Sequence, residues 1–192
     1  GGCLIGNEHD GIPLLCAPND WTVPAYINNR SYCLPSSNQG NTSMCVAYSW
    51  AGWCEVYKWK HDNIYKQIDP VPIYNRAKEI DGLGGGDGTT LEAGAQAVID
   101  LGIMPSTFKP WRIKFDNEYQ FCLHRYDAVV CAFWVDQYWN ECDPRTGIIP
   151  DIDGDPTGYH AALGCTYNNF IDRGERGFQN TWLPWGFQHS GF

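Results

Sequence analysis

The sequence lacks any long uninterrupted hydrophobic run. None of its 192 residues form an apolar stretch near the roughly 20 residues that a membrane-spanning helix needs. The start of the chain also lacks a basic stretch followed by an apolar one, so no signal peptide is visible. We therefore predict that the protein does not insert into a membrane.

Positive charge is scarce. Lys and Arg number 13 against 22 Asp and Glu, which gives a formal net charge of −9 at pH 7. Because such a charge repels phosphate, we do not expect a nucleic acid as a partner. Internal repeats and low-complexity tracts are also missing, and 43% hydrophobic residues with 18% charged ones are typical of a folded globular chain.

Motifs for metals and cofactors are missing as well. No two cysteines are separated by two residues, which argues against zinc-ribbon and thioredoxin motifs. The acidic run 151–155 begins like a calcium loop, but Pro156 and Ala162 occupy its sixth and twelfth positions. The glycine-rich stretch 82–88 is not followed by the Lys-Ser or Lys-Thr of a phosphate-binding loop. The sequence therefore predicts no metal and no cofactor.

Cysteine, by contrast, is abundant. The nine cysteines are an odd number, so at least one thiol is unpaired within the chain. Cys3, Cys16 and Cys33 lie in turn-rich sequence and are the better disulfide candidates. Cys131 and Cys165 lie in apolar, strand-like runs and are expected to be buried thiols. This usage leaves the redox compartment open.

Helical patterns follow an irregular arm over residues 1–44. Apolar spacing predicts a helix from Cys45 to about residue 60 and a short second helix over 72–80. A third helix is expected to begin at a capping box, with Thr89 as N-cap and Glu92 three residues later, and to end at Leu101.

Strand patterns dominate the second half of the chain. They cover residues 128–135, 159–167 and 177–182, with a long turn-rich connection between the first two. Helices followed by strands predict an α+β fold of two lobes, divided near residues 105–115.

Cys45 stands at the predicted start of a helix. The positive end of the helix dipole favours a thiolate there, and the thiolate is the nucleophilic form. The amide of Gln39, six residues upstream, could form an oxyanion hole together with the Cys45 backbone N–H. A cysteine at a helix start is more often structural, so this segment alone does not establish chemistry.

Two later segments supply partners for this thiol. His160 enters an apolar strand, where an isolated histidine is more often a satisfied interior residue. Asn180 could orient an imidazole, and Trp182 could shield that hydrogen bond from water.

Together, these segments resemble the papain-like cysteine peptidase family in their order and surroundings. Residues 38–45 are similar to the family's N-Q-G…C, 160–161 to its H-A-V strand, 180–182 to its N-S-W and 185–186 to its W-G. Asp87-Gly88, ahead of a helix that ends near residue 103, is similar to the stretch that walls the family's cleft. The resemblance covers most of the chain from about residue 18 to 191.

The resemblance implies one domain, 1–192, with a helical lobe over about 1–110 and a lobe of antiparallel sheet or barrel over about 111–192. It implies a cysteine peptidase that acts on proteins or peptides without a cofactor. In its mechanism a Cys45 thiolate paired with a His160 imidazolium attacks the substrate carbonyl, Gln39 stabilises the oxyanion and Asn180 orients the ring.

The resemblance also implies that Asp87, Gly88, Ala161 and Trp182 line the substrate cleft. Asp87 replaces a glycine of the family pattern, which places an acid near the groove.

Other departures concern origin. Thr42 stands where many members carry a cysteine, and the segment 43–47 looks more like bacterial and viral relatives. The sequon at Asn41 would place a glycan beside the nucleophile, which argues against a eukaryotic secretory origin. These features favour an extracytoplasmic or virion-associated location and membership of a larger bacterial or viral assembly. No propeptide is expected ahead of the domain.

Two alternatives stay open. The same fold could serve as a structural or binding protein of a virion or cell surface, in which case a broken triad is expected. The same nucleophile could instead hydrolyse peptidoglycan cross-links or isopeptides, and the sequence does not separate these substrates from ordinary peptide bonds.

Overall fold

The computed structural model describes residues 2–4, 12–84, 87–149, 154–170 and 175–182. Its helices are α1 (Cys45–Asp62), α2 (Pro70–Asp81), α3 (Leu91–Asp100) and α4 (Asp116–Tyr126), and its strands are β1 (Cys3–Leu4), β2 (Tyr26–Asn28), β3 (Thr89–Thr90), β4 (Val129–Val135), β5 (Gly158–Asn168) and β6 (Glu175–Gln179). The expected W-G motif at 185–186 and positions 151–153 of the acidic run lie outside the described residues.

Helix α1 is the central helix of the first lobe, and the sequence prediction for it is confirmed. Its buried side includes Val46, Trp50, Trp53 and Val56, at the spacing of one helical face. The helix ends at Asp62, and Asn63, its C-cap, has a left-handed backbone (φ 57°) and donates its N–H to carbonyls of the last turn.

Helix α3 begins one residue later than the capping-box pattern predicted. Thr90, not Thr89, is the N-cap, because its Oγ1 accepts the backbone N–H of Ala93 at 3.1 Å. Thr89 belongs to β3, where it pairs with Cys3 of β1 in parallel register. The helix ends at Asp100, close to the predicted end.

The second lobe is built around β5. This strand pairs antiparallel with β2, β4 and β6, and the sheet is open, with no closed barrel among the described residues. The prediction of an α+β fold with an antiparallel C-terminal sheet is confirmed. The last predicted strand is shifted: β6 covers Glu175–Gln179, so Asn180 follows the strand and does not belong to it.

Helix α4 was not predicted, because its sequence is mostly polar and shows a weak apolar period. Its start is fixed locally: the carboxylate of Glu118 accepts the backbone N–H groups of Lys114 and Phe115. Tyr119 and Leu123 then pack against the sheet in a small core of their own.

The main core joins the two lobes. It contains the buried faces of α1, α2 and α3 together with Ala128, Ala161 and Leu163 of the second lobe. Trp53 crosses the boundary, since its indole N–H donates to the Ala128 carbonyl at 3.0 Å. In the part of the chain that the structure describes, no helix is both long and apolar enough to cross a bilayer.

Candidate active site

Cys45 is the first residue of α1 and is fully buried. Met44 precedes it as N-cap without a side-chain hydrogen bond, so the thiol lies in the first turn, where the helix dipole is most positive. The backbone N–H groups of Ala161, Gly2 and Val46 lie near the thiol and lower its pKa against the effect of burial. The interaction with Ala161 places the thiol next to the residue that follows His160.

His160 lies in β5 opposite Phe133 of β4 and is also fully buried. Its Nε2 lies 2.7 Å from Oδ1 of Asn180. That same Oδ1 accepts the backbone N–H of Thr181 at 2.7 Å, which identifies it as the amide oxygen. Nε2 must therefore donate, and Nδ1 is left as the basic nitrogen.

The Nδ1 atom of His160 is buried without a hydrogen-bond partner among the described residues. A buried, unpartnered nitrogen is unfavourable in a purely structural histidine, because desolvation costs about 1–3 kcal/mol without compensation. The ring of Trp182 stacks on the imidazole with centroids 3.9 Å apart and so covers one face of the His160–Asn180 pair.

Both polar atoms of the Gln39 side-chain amide are hydrogen-bonded. Its Oε1 accepts the hydroxyl of Thr181 at 2.6 Å, and its Nε2 donates to the Thr42 carbonyl at 2.7 Å. A primary amide has two N–H bonds, so one donor remains for an incoming oxyanion. The backbone N–H of Gln39 also donates to the Thr181 carbonyl at 2.9 Å, which ties this loop to the segment that carries Asn180.

Gly2 occupies a groove beside Cys45, with Ser43 on one wall and Gly88 and Thr89 on the other. The sequence did not predict this. The Gly2 carbonyl accepts the backbone N–H of Thr89 at 3.0 Å. A Cβ atom at Gly2 would lie 2.0 Å from the Ser43 carbonyl oxygen, and one at Gly88 would lie 2.4 Å from the Gly2 carbonyl oxygen. The backbone at Gly2 therefore passes between the two walls of the groove and contacts both.

Burial of the site shifts the pKa values of Cys45 and His160. Burial raises the pKa of the Cys45 thiol, an effect that the backbone N–H of Ala161 opposes. Burial also lowers the pKa of His160 to about 4, against the opposing effect of the hydrogen bond that His160 donates to Asn180. Both shifts favour the neutral thiol and the neutral imidazole, because burial disfavours the charged form of each group. The family resemblance implied a thiolate–imidazolium pair instead.

The four residues expected to bind substrate are found in different surroundings. Gly88 (φ 86°) is buried against Gly2, and Asp87 beside it is exposed. Ala161 is buried at the thiol, and Trp182 covers His160. Gly88, Ala161 and Trp182 therefore contact the groove or the buried pair, whereas no contact of Asp87 with either is observed.

A separate cavity of about 900 Å³ lies between the lobes. Aromatic and aliphatic side chains line much of it, among them Trp50, Leu91, Met104 and Phe108. Neither Cys45 nor His160 borders it. The many aromatic residues of this chain thus both fill the core and surround an apolar space.

Two positioning contacts were missed by the sequence reasoning. The Thr181 hydroxyl orients Gln39, and the Ser36 hydroxyl donates to the Asn180 carbonyl. Both residues are small and polar in loop sequence, where such residues usually face solvent, so no signal in the sequence distinguishes them.

No family model matches the sequence, and neither does any curated protein. Solved structures, however, share the fold. Xylellain, a cysteine protease from Xylella fastidiosa, superposes with a TM-score of 0.77 at 17% identity, over 98% of this chain and 87% of that one. The procathepsin B S9 of Trypanosoma congolense gives 0.75 at 14% identity, over 98% of this chain and 78% of that one.

A digestive procathepsin L 3 from the larval midgut of Tenebrio molitor gives a TM-score of 0.68 at 14% identity, over 94% of this chain and 67% of that one. These similar structures come from a bacterium, a protozoan and an insect, so they do not single out bacterial or viral relatives. The fold of this chain is that of the papain-like cysteine proteases.

Proposed function

We propose that this chain is a cysteine peptidase that hydrolyses peptide bonds with Cys45 as nucleophile, His160 as base, Asn180 as positioning residue and Gln39 in the oxyanion hole. One observation carries the proposal: His160 donates from Nε2 to Asn180 and leaves Nδ1 buried and unpartnered, in the strand whose next N–H contacts the Cys45 thiol. This arrangement is costly for a structural histidine and useful for a base.

The proposed reaction begins with proton transfer. Nδ1 of His160 takes the proton of the Cys45 thiol, and the resulting thiolate attacks the carbonyl carbon of the substrate. The remaining N–H of the Gln39 amide and the Cys45 backbone N–H donate to the oxyanion. The imidazolium then protonates the leaving amine, and the neutral imidazole activates a water molecule that releases the acyl group.

Substrate must displace Gly2 before this reaction starts, because Gly2 contacts both groove walls and the thiol. Displacement also admits water and substrate dipoles to the pair. The burial that raises the pKa of Cys45 and lowers that of His160 is thereby relieved, and proton transfer between them becomes easier.

A protein or peptide is the substrate class we propose, because the structurally similar xylellain is named as a cysteine protease. One domain over 1–192, an extracytoplasmic or virion-associated location and membership of a bacterial or viral assembly stay predictions from the sequence.

The intact mass after treatment with an epoxysuccinyl thiol-peptidase inhibitor tests the nucleophile. We expect a single adduct on the reduced native chain and on Cys16→Ala, which removes an exposed thiol, and none on Cys45→Ala. An adduct that persists in Cys45→Ala would contradict the proposed nucleophile. A folded native chain that neither forms an adduct nor cleaves casein would support the alternative of a binding protein.

The bond that is cleaved needs a second assay. Casein and short fluorogenic peptides are compared with purified peptidoglycan, using native chain and Cys45→Ala. Cleavage of the peptides by the native chain alone is the expected result. Release of peptidoglycan fragments without peptide cleavage would favour a cell-wall hydrolase that uses the same residues.

A further inference from the structure

Two cysteines from distant parts of the chain lie side by side. Cys33 follows the short 3-10 helix Arg30–Tyr32, and Cys165 lies in the middle of β5. The backbone of Asn29 connects them: its N–H donates to the Cys165 carbonyl at 3.0 Å, and its carbonyl accepts the Cys33 thiol at 3.8 Å. The pairing of β2 with β5, with Asn28 opposite Thr166, fixes this position.

The surroundings of the two sulfur atoms also favour their approach. Cys165 lies at an irregularity of the β5–β6 ladder, where the register shifts between Gly164 and Thr166. Its thiol is buried and donates weakly to the Gly177 carbonyl at 3.7 Å. The neighbouring Cys165 thiol, together with burial, raises the pKa of Cys33, as expected for two thiols that lie close together.

We propose that Cys33 and Cys165, which are thiols in this structure, are the site of a disulfide bond that fastens the N-terminal arm to β5. Cys33 is a disulfide candidate from sequence alone, but the sequence placed Cys165 among the buried unpaired thiols. The geometry changes that assignment, because β2 brings the arm alongside β5.

The bond forms by thiol–disulfide exchange with a small disulfide oxidant such as oxidised glutathione. The Cys33 thiolate attacks one sulfur of the oxidant and releases one glutathione thiolate. Cys165 then loses its proton and displaces the second glutathione, so that two protein thiols are oxidised and one glutathione disulfide is reduced. The raised pKa of Cys33 makes this slow in the folded chain, so we expect the bond to form during folding.

The bond would act on the candidate site through the arm. The Leu34 carbonyl, directly after Cys33, accepts the Gln179 amide at 2.6 Å, and Ser36 donates to the Asn180 carbonyl. A bond at Cys33 therefore restrains the loop that leads to Gln39 relative to the strand that carries His160. It also closes a long loop of chain, the arrangement that restricts the unfolded state most.

The test uses the full chain with Cys45→Ala, which removes the proposed nucleophile and any self-digestion. The protein is refolded in a glutathione redox buffer or in excess dithiothreitol. It is then denatured in the presence of N-ethylmaleimide, and its intact mass is measured. We expect two fewer maleimide adducts after oxidative refolding, and a chymotryptic map without reduction should show the Cys33 peptide linked to the Cys165 peptide. Trp50 and Trp53 provide cleavage sites between Cys33 and Cys54.

Three variants in the same background provide the comparison. Cys33→Ser and Cys165→Ser should each lose the protected pair, and Cys16→Ser, at an exposed cysteine, should keep it. Oxidation should raise the thermal midpoint by about 5–10 °C in the parent and in Cys16→Ser only. If either partner variant fails to fold, the peptide map of the parent decides. Alkylation of both cysteines after oxidative refolding, or linkage of either to another cysteine, would overturn the proposal.

Discussion

At the scale of single residues, the candidate site depends on how one oxygen atom is shared. Oδ1 of Asn180 accepts from both His160 and Thr181, so the backbone fixes the amide and the amide fixes the ring. The ring tautomer follows from this arrangement. Removing the amide should therefore affect the orientation and protonation of the base more than the binding of substrate.

We predict that Asn180→Ala lowers kcat by about 10- to 100-fold with little change in KM, the equivalent of one hydrogen bond to a charged group. Steady-state cleavage of a fluorogenic peptide measures both constants. Asn169→Ala, an exposed asparagine close to the other end of the same lobe, is the matched control and should behave as the native chain. A rise in KM at unchanged kcat would contradict a positioning role.

The depressed pKa of His160 leads to a second prediction, which concerns how the stability of the folded chain depends on pH. Its folded value of about 4 lies below the ordinary 6.5, so the unfolded chain binds a proton first as the pH falls. The native state should keep its full stability above pH 6.5 and lose about 3 kcal/mol from this group as the pH falls to 4.

Urea unfolding of native chain, His160→Gln and His124→Gln over this pH range tests the assignment. His124 is exposed, so its variant should follow the native profile. His160→Gln should lose this part of the pH dependence. Identical pH profiles for all three proteins would show that His160 is not the group responsible.

At the scale of elements, strand β1 and Gly2 before it cover the groove. Among the described residues it comprises Cys3 and Leu4; Cys3 is buried and Gly2 contacts both walls. Local segments open at a lower free energy than the whole fold, so a substrate can compete with this one. We expect the equilibrium between covered and open groove to respond to single substitutions at Gly2.

Gly2→Val should open the groove, because its Cβ would lie 2.0 Å from the Ser43 carbonyl oxygen. Loss of the hydrogen bond to Thr89, at about 1 kcal/mol, should raise the alkylation rate of Cys45 roughly five- to tenfold. The rate is followed by peptide mass spectrometry with iodoacetamide, and the exposed Cys16 serves as an internal control. An unchanged rate at Cys45 would mean that β1 does not limit access.

The elements also show which parts of this molecule could be predicted. α1 was predictable because large apolar residues recur in it at helical spacing, and β4 and β5 because each is a largely apolar run. The order of Cys45, His160 and Asn180 in the sequence also indicated that His160 and Asn180 lie together. Helix α4 could not be found, because local hydrogen bonds to Glu118 define it more than periodicity does.

The position of β1 was unpredictable for another reason. Cys3 and Leu4 pair with residues that lie far along the chain, and two residues are too few to display a period. The same holds for Thr181, whose hydroxyl donates to Gln39, a residue 142 positions away in the sequence. Contacts of this kind depend on tertiary structure, which the local sequence pattern does not show.

At the scale of the whole molecule, the two lobes share one core. Trp53 of α1 donates to the Ala128 carbonyl and packs against Phe108 with ring centroids 5.1 Å apart. The main hydrophobic cluster continues from the helices to Ala161 and Leu163 of β5. We therefore expect the lobes to unfold together.

Trp53→Ala should lower the free energy of unfolding by about 3–5 kcal/mol, because it leaves a large cavity in this shared core. Urea unfolding is followed in parallel by tryptophan fluorescence and by far-ultraviolet circular dichroism, and the two transitions should coincide. Trp53→Phe retains a ring and loses the hydrogen bond to Ala128, so it should cost less. Separate transitions for the two probes would show that each lobe unfolds independently.

The position of Gly2 has one more consequence, for the lifetime of the chain. The Gly2 carbonyl accepts the Thr89 N–H, while the backbone N–H of Gly2 lies near the Cys45 sulfur. A thiolate attacks a carbonyl carbon, and the carbonyl of the Gly2–Cys3 peptide is already held at the neighbouring wall. A protein that digests others would thus keep its own backbone beside the cutting atom with this carbonyl engaged elsewhere.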